Sequence, residues 1–152
     1  MLAIEETGFL KQGRSSCGVS LQYTGSAGKI TNCQIGVFAA YVSPPAMPWS
    51  AARCCAAIKV RTSSRSSRYS ALYLPKTWTD GPVRIVAVHA PDDTTLAIKP
   101  ALAVGMTERA ILAGVSFASV AADSVYGIGH VEMVLRRASK GYVLGVNSDE
   151  VV

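Results

Sequence analysis

The chain has 152 residues, with 15 Lys and Arg against 10 Asp and Glu, and 49% of its side chains are hydrophobic. That length suits one domain with a core of its own. The apolar stretches are much too short to cross a bilayer, and Met1-Leu2-Ala3-Ile4 runs at once into Glu5 and Glu6, so the expectation is no secretory leader.

Leu2 to Glu5 reads as a short strand, Thr7-Gly8-Phe9 as a turn and Lys11 to Arg14 as a polar loop. Val19, Leu21 and Tyr23 alternate with Ser20 and Gln22, the period of a half-buried strand. Gly25 to Gly28 is a turn, and Ile30 to Val42 follows with a central strand at Ile35–Tyr41. Three successive strands with Gly-rich turns predict an antiparallel meander.

Pro44 to Tyr69 shows no period. Three prolines, Cys54-Cys55 and Ser63-Ser64-Arg65-Ser66-Ser67 predict irregular or disordered chain there. Arg53, Lys59, Arg61, Arg65 and Arg68 fall within residues 53–68 with no acid among them, so the rest of the chain carries 10 basic and 10 acidic side chains. The protein is thus a neutral domain with one basic segment, which either binds phosphate backbone non-specifically or is a solvated Ser/Arg loop.

Ala71 to Leu74 resumes a strand, and Pro75 to Asp93 reads as loop in which Trp78 is buried against the sheet. Pro100 starts a helix in a favoured position, with Ala103, Met106, Ala110 and Ala113 on one face and Gly114 at the stop. The run Phe117 to Asp123 predicts a strand buried on both faces. A second helix runs from about Gly129 to Ser139, with Val131, Val134, Leu135 and Ala138 as its stripe and Glu132 and Arg136 as an i,i+4 pair. Gly141 ends it, and Tyr142 to Val146 is a last short strand. The order is β-β-β, an extra strand, then α-β-α-β, an α/β chain whose mixed sheet has a parallel half.

Two strands end on carboxylates. Asp123 closes the Phe117 strand and Glu5 the first, where open α/β sheets bind ligands, although Asp123 also suits a turn cap. Carboxylates at adjoining strand ends begin a divalent metal site. Magnesium takes hard oxygen ligands and bridges protein to phosphate, and two such ions about 4 Å apart assist phosphodiester cleavage.

Four stretches carry a resemblance: Ile4-Glu5-Glu6-Thr7-Gly8-Phe9-Leu10-Lys11-Gln12-Gly13, Gln22 to Val37, Leu72-Tyr73-Leu74-Pro75-Lys76-Thr77-Trp78-Thr79-Asp80, and Ala122-Asp123-Ser124-Val125-Tyr126-Gly127. Together they resemble the DDE superfamily endonucleases, the insertion-sequence DDE transposases of bacteria, over nearly all of the chain except about 44–69. The resemblance implies a ribonuclease H-like fold, β-β-β-α-β-α-β, incomplete here at the C-terminus. It implies DNA, at transposon ends, as partner, and magnesium or manganese as cofactor. Glu5 and Asp123 match the first two catalytic, metal-holding acids, and DNA strand cleavage and transfer is the reaction. A cytoplasmic, nucleoid-associated protein follows from it, without a membrane partner.

The chain departs from that pattern. Glu5 stands where the family has aspartate, and the third acid would lie beyond Val152, with Glu150 in no matching motif. Residues 44–69 read as a basic insertion, and the part that precedes this domain in such transposases is missing. The expectation is a partial, inactive catalytic domain spanning 1–152, a remnant of a transposase. The alternative is a non-catalytic fragment that binds DNA through residues 53–68 or has no function.

Other motifs add little. Cys17, Cys33, Cys54 and Cys55 form no CxxC pair and, with only His89 and His130 beside them, no zinc site, so they read as free cytosolic thiols. No nucleophile elbow, Walker or dinucleotide pattern is present, and His130 reads as a surface or capping residue.

Overall fold

The computed structural model describes residues 1–42, 70–80, 82–89, 97–127 and 129–146. The basic segment at 44–69, Cys54, Cys55 and Glu150 lie outside these residues.

The described strands are β1 (Leu2–Leu10), β2 (Ser20–Thr24), β3 (Lys29–Tyr41), β4 (Ser70–Tyr73), β5 (Ser119–Ala122) and β6 (Gly141–Leu144). The described helices are α1 (Lys76–Thr79), α2 (Pro82–Ala87), α3 (Lys99–Leu112) and α4 (Gly129–Arg137). The strands form one mixed sheet in the order β2-β3-β1-β5-β6, with β4 also on β3. This six-stranded α/β architecture is compatible with a ribonuclease H-like fold.

The first half of the sheet departs from a meander. β3, 13 residues long, lies between β1 and β2 and pairs antiparallel with both, from Leu2↔Tyr41 to Leu10↔Cys33 and from Ser20↔Cys33 to Thr24↔Lys29. A strand of that length spans two partners, so the hairpin β2–β3 keeps its tight turn while β1 takes the other edge. β1 also runs through the expected turn at Thr7-Gly8-Phe9. Glycine serves close packing there, because a Cβ at Gly8 would fall 2.0 Å from Thr24 Oγ1.

The second half is parallel. β1 pairs with β5 from Leu2↔Val120 to Ile4↔Ala122, and β5 with β6 from Ser119↔Gly141 to Ala122↔Leu144. The β5–α4–β6 crossover supplies the length that parallel pairing requires. Strand alternation puts Leu2, Ile4, Val37, Ala39 and Val120 on one face, where they form the core with Ala103, Met106 and Ala110 of α3 and Val131 and Leu135 of α4. Each Leu, Ile or Val buried this way contributes about 1.5–3 kcal/mol. β5 is not buried on both faces as its apolar run suggested: Val120 is buried, while Ser119, Ala121 and Ala122 are half-buried.

α3 begins as Pro100 foretold, and Ala103, Met106 and Ala110 are buried, but Ala113 is exposed beyond its end. α4 buries Val131 and Leu135 and leaves Val134 and Ala138 half-buried, and its Glu132–Arg136 ion pair forms at 2.5 Å. The stretch after β4 is helical rather than loop. Trp78 in α1 is 1% exposed, and its Nε1 donates to the Val19 carbonyl at 2.7 Å. Burial of one large side chain therefore organises a turn of helix that has no amphipathic period to announce it.

Candidate metal centre

Glu5 and Asp123 directly follow Ile4 and Ala122, the last pair of the β1–β5 ladder. Asp123 ends its strand as expected, whereas Glu5 lies inside β1, opposite Phe38 of β3, and not at a strand end. Asp123 keeps extended backbone at φ −70 and ψ 171 before the chain enters the 3₁₀ turn Ser124–Tyr126. Both side chains are exposed. By alternation from the buried Ile4, Glu5 points away from the face that α3 and α4 cover. Asp123 also caps its turn: Oδ1 accepts from the Ser124 amide at 2.6 Å. Capping engages one carboxylate oxygen and leaves the other for a further partner.

The turn after Asp123 is wedged. The Gly145 amide donates to the Ala122 carbonyl at 2.9 Å. A Cβ at Gly127 would meet the Gly145 carbonyl oxygen at 2.1 Å, and one at Gly145 would meet the Ser124 amide at 2.6 Å. Only two glycines allow the end of β6 to lie this close to the turn.

Glu6 has a different environment. It lies on the helix-covered face, where Lys99 Nζ, at the start of α3, reaches its two carboxylate oxygens at 2.8 and 2.9 Å. The Tyr126 hydroxyl donates to Glu6 Oε2 in a long bond of 3.5 Å. Tyr126 is fully buried. Burial pushes its phenol pKa far above the ordinary value, and the negative charges of Glu6, Glu5 and Asp123 and the bond to Glu6 push it in the same direction. Three carboxylates thus converge electrostatically on one neutral hydroxyl.

Sequence reasoning selected Glu5 and Asp123 and gave no role to Lys99 and Tyr126. One signal was available for Glu6: adjacent residues on a strand face opposite ways, so Glu5 and Glu6 cannot share a role. Nothing local announces Lys99, which is 93 residues from its partner.

The donor set bears on the metal that such a site would take. Glu5 and Asp123 offer hard carboxylate oxygens, the ligand type of magnesium and manganese. Among the described residues no three His, Cys, Asp or Glu side chains group closely enough to hold a metal ion. Magnesium held by few carboxylates completes its shell with water and substrate phosphate. His89 and His130 are both exposed, the latter in the first turn of α4. Cys17 and Cys33 are free thiols.

The model of the DDE superfamily endonuclease family matches this chain over residues 1–152. The chain belongs to that family, whose chemistry is transposase-like nuclease action on DNA with divalent metal. No curated protein and no solved structure matches it significantly. No helix among the described residues is long and apolar enough to cross a membrane.

Proposed function

We propose that this domain holds one magnesium or manganese ion between Glu5 and Asp123 at DNA, in the strand cleavage and transfer chemistry by which insertion sequences transpose. The observation that supports this reading is the parallel pairing of β1 with β5, which ends one residue before both acids. Glu5 and Asp123 have no ion pair among the described residues, so together they concentrate negative charge where the β1–β5 pairing ends. A DNA phosphate approaches such a place only with a cation between, since unscreened like charges a few Å apart repel strongly. Bound there, a divalent ion supplies charge neutralisation and an acidified water for attack on the phosphodiester. The chain's own contribution is to hold the two carboxylates on adjoining strands, with Asp123 pinned by its turn, and to keep Lys99 engaged with Glu6.

The same reading has the 152-residue polypeptide alone binding the ion weakly and leaving DNA uncut. Glu5 is one methylene longer than the aspartate that the family resemblance expects, which moves the carboxylate by roughly 1 Å, and misplacement of that size costs about 10²-fold in rate. The described residues also bring no third ligand to the pair. DNA binding without cleavage, in the bacterial cytoplasm, is then the activity that remains. The experiment is incubation of the purified chain with supercoiled plasmid and Mg²⁺ or Mn²⁺, beside an Asp123→Ala control. Metal-dependent gel retardation without nicking is expected. Nicking by the parent that the control lacks would overturn the inactive reading. Identical metal-dependent retardation by the parent, Glu5→Ala and Asp123→Ala would overturn the site.

A further inference from the structure

Adjacent glutamates on one strand are a redundancy in the sequence and a division of labour in the fold. Glu5 stands exposed beside Asp123, whereas the Glu6 side chain, 23% exposed, is held by Lys99, itself 19% exposed, from α3. Tyr126 belongs to the turn that Asp123 caps: its amide donates to the Asp123 carbonyl at 2.9 Å and its hydroxyl to Glu6. A short stretch of chain thus links Asp123 to β1 through a side chain buried in the core. On its other flank the turn is closed by the Gly127–Gly145 contact, where a Cβ would clash with backbone.

We infer that Glu6, Lys99 and Tyr126 form a positioning clamp that fixes the Asp123 turn against β1, while Glu5 alone of the two glutamates serves the open site. Three observations carry it. The Lys99–Glu6 pair is two-pronged and largely shielded from water, so Glu6 cannot leave it for a cation without stranding the lysine. The Tyr126 hydroxyl is buried, none of the described buried side-chain N or O atoms lacks a hydrogen-bond partner, and the carboxylate it reaches is Glu6. Among the described residues, Tyr126 is the side chain that bonds β1 from within the turn that Asp123 caps. Groups that orient metal-holding carboxylates from behind commonly set affinity as strongly as some ligands do, with losses of 10–100-fold on mutation. The effect on affinity rests on the cation site proposed above, whereas the clamp itself does not.

Two measurements on the full 152-residue chain separate the two ideas. The first is amide hydrogen exchange by NMR without metal, at Tyr126 and Gly127, whose amides bond to Asp123 and Ser124. Tyr126→Phe should exchange there roughly fivefold faster than the parent and Glu6→Ala at least as fast, with Glu6→Gln, which keeps an acceptor for the hydroxyl but no charge for Lys99, slower than Glu6→Ala. Exchange in Tyr126→Phe equal to the parent's would overturn the clamp. The second is Mn²⁺ titration by electron paramagnetic resonance, at a temperature where circular dichroism shows every variant folded. Tyr126→Phe should weaken Mn²⁺ binding roughly tenfold and Glu6→Gln much less. A Glu6→Gln loss as large as that of Glu5→Gln would make Glu6 a ligand and overturn the assignment. A parent that binds no Mn²⁺ refutes the cation site, while the exchange measurement still decides the clamp. Should Glu6→Ala fail to fold, the near-isosteric Tyr126→Phe decides.

Discussion

Tyr126 makes the stability of this domain fall at alkaline pH in a way that one substitution removes. The phenol is fully buried, and its pKa is raised above the ordinary 10.0 by that burial and then by the charges of Glu6, Glu5 and Asp123. A group whose folded pKa is raised keeps its proton in the folded state after the unfolded chain has lost it. Its contribution is therefore intact below about pH 10 and is lost as pH rises toward the folded value. The loss approaches about 1.4 kcal/mol per pH unit once the unfolded phenol is ionised. At neutral pH, Tyr126→Phe removes only the 3.5 Å bond to Glu6. A bond that long is worth about 1 kcal/mol, below the usual range for a charged acceptor. The parent should therefore be more stable than Tyr126→Phe by about 1 kcal/mol at pH 7–9, lose that advantage near pH 11, and be the less stable of the two above it. Urea unfolding of both proteins by circular dichroism at half-unit steps from pH 8 to pH 11.5 measures the difference directly, and groups common to both cancel. Parallel stability curves above pH 10 would refute the argument, since they would mean that the hydroxyl ionises as easily folded as unfolded.

Trp78→Phe should lower the unfolding free energy by about 2 kcal/mol in urea, because the Val19 carbonyl loses its 2.7 Å donor in a site with little access to water. Leu135→Ala, at a fully buried position on α4, should cost about 2–5 kcal/mol by thermal or urea unfolding. Cys33 is buried and its thiol pKa is raised by that burial, though Lys99 pulls it slightly down. Iodoacetamide at pH 8 should leave Cys33 unmodified in the folded chain and label it once urea unfolds the protein, as read by peptide mass spectrometry.

Periodicity and short-range spacing made much of this protein legible before folding. The 3.6-residue period of Ala103, Met106 and Ala110, with Pro100 ahead of them, identified α3. The spacing of Val131 and Leu135 identified α4, and Glu132 and Arg136 met as the i,i+4 rule requires. Alternation located β2 but on the wrong face, since Leu21 and Tyr23 are exposed while Thr24 is buried. The carboxylate that ends an apolar strand singled out Asp123, whereas Glu5 lies inside β1. Such signals work because helix and strand geometry is local. What misled was equally local: Gly8 reads as a turn until Thr24 is seen resting on it, and α1 has no period because a single buried indole holds it.

The tertiary structure decided the matters that depend on residues distant in the chain. Only pairing could place β3 between β1 and β2, since hydrophobic alternation is the same whichever neighbour a strand takes. Only the sheet could separate Glu5 from Glu6, because the strand that carries both turns one toward solvent and the other toward α3. The union of Lys99, Tyr126 and Glu6 spans 93 and 120 residues of chain. No pattern in sequence encodes a contact of that span; it exists because β1 lies beside β5 and α3 joins the core on the same face of the sheet.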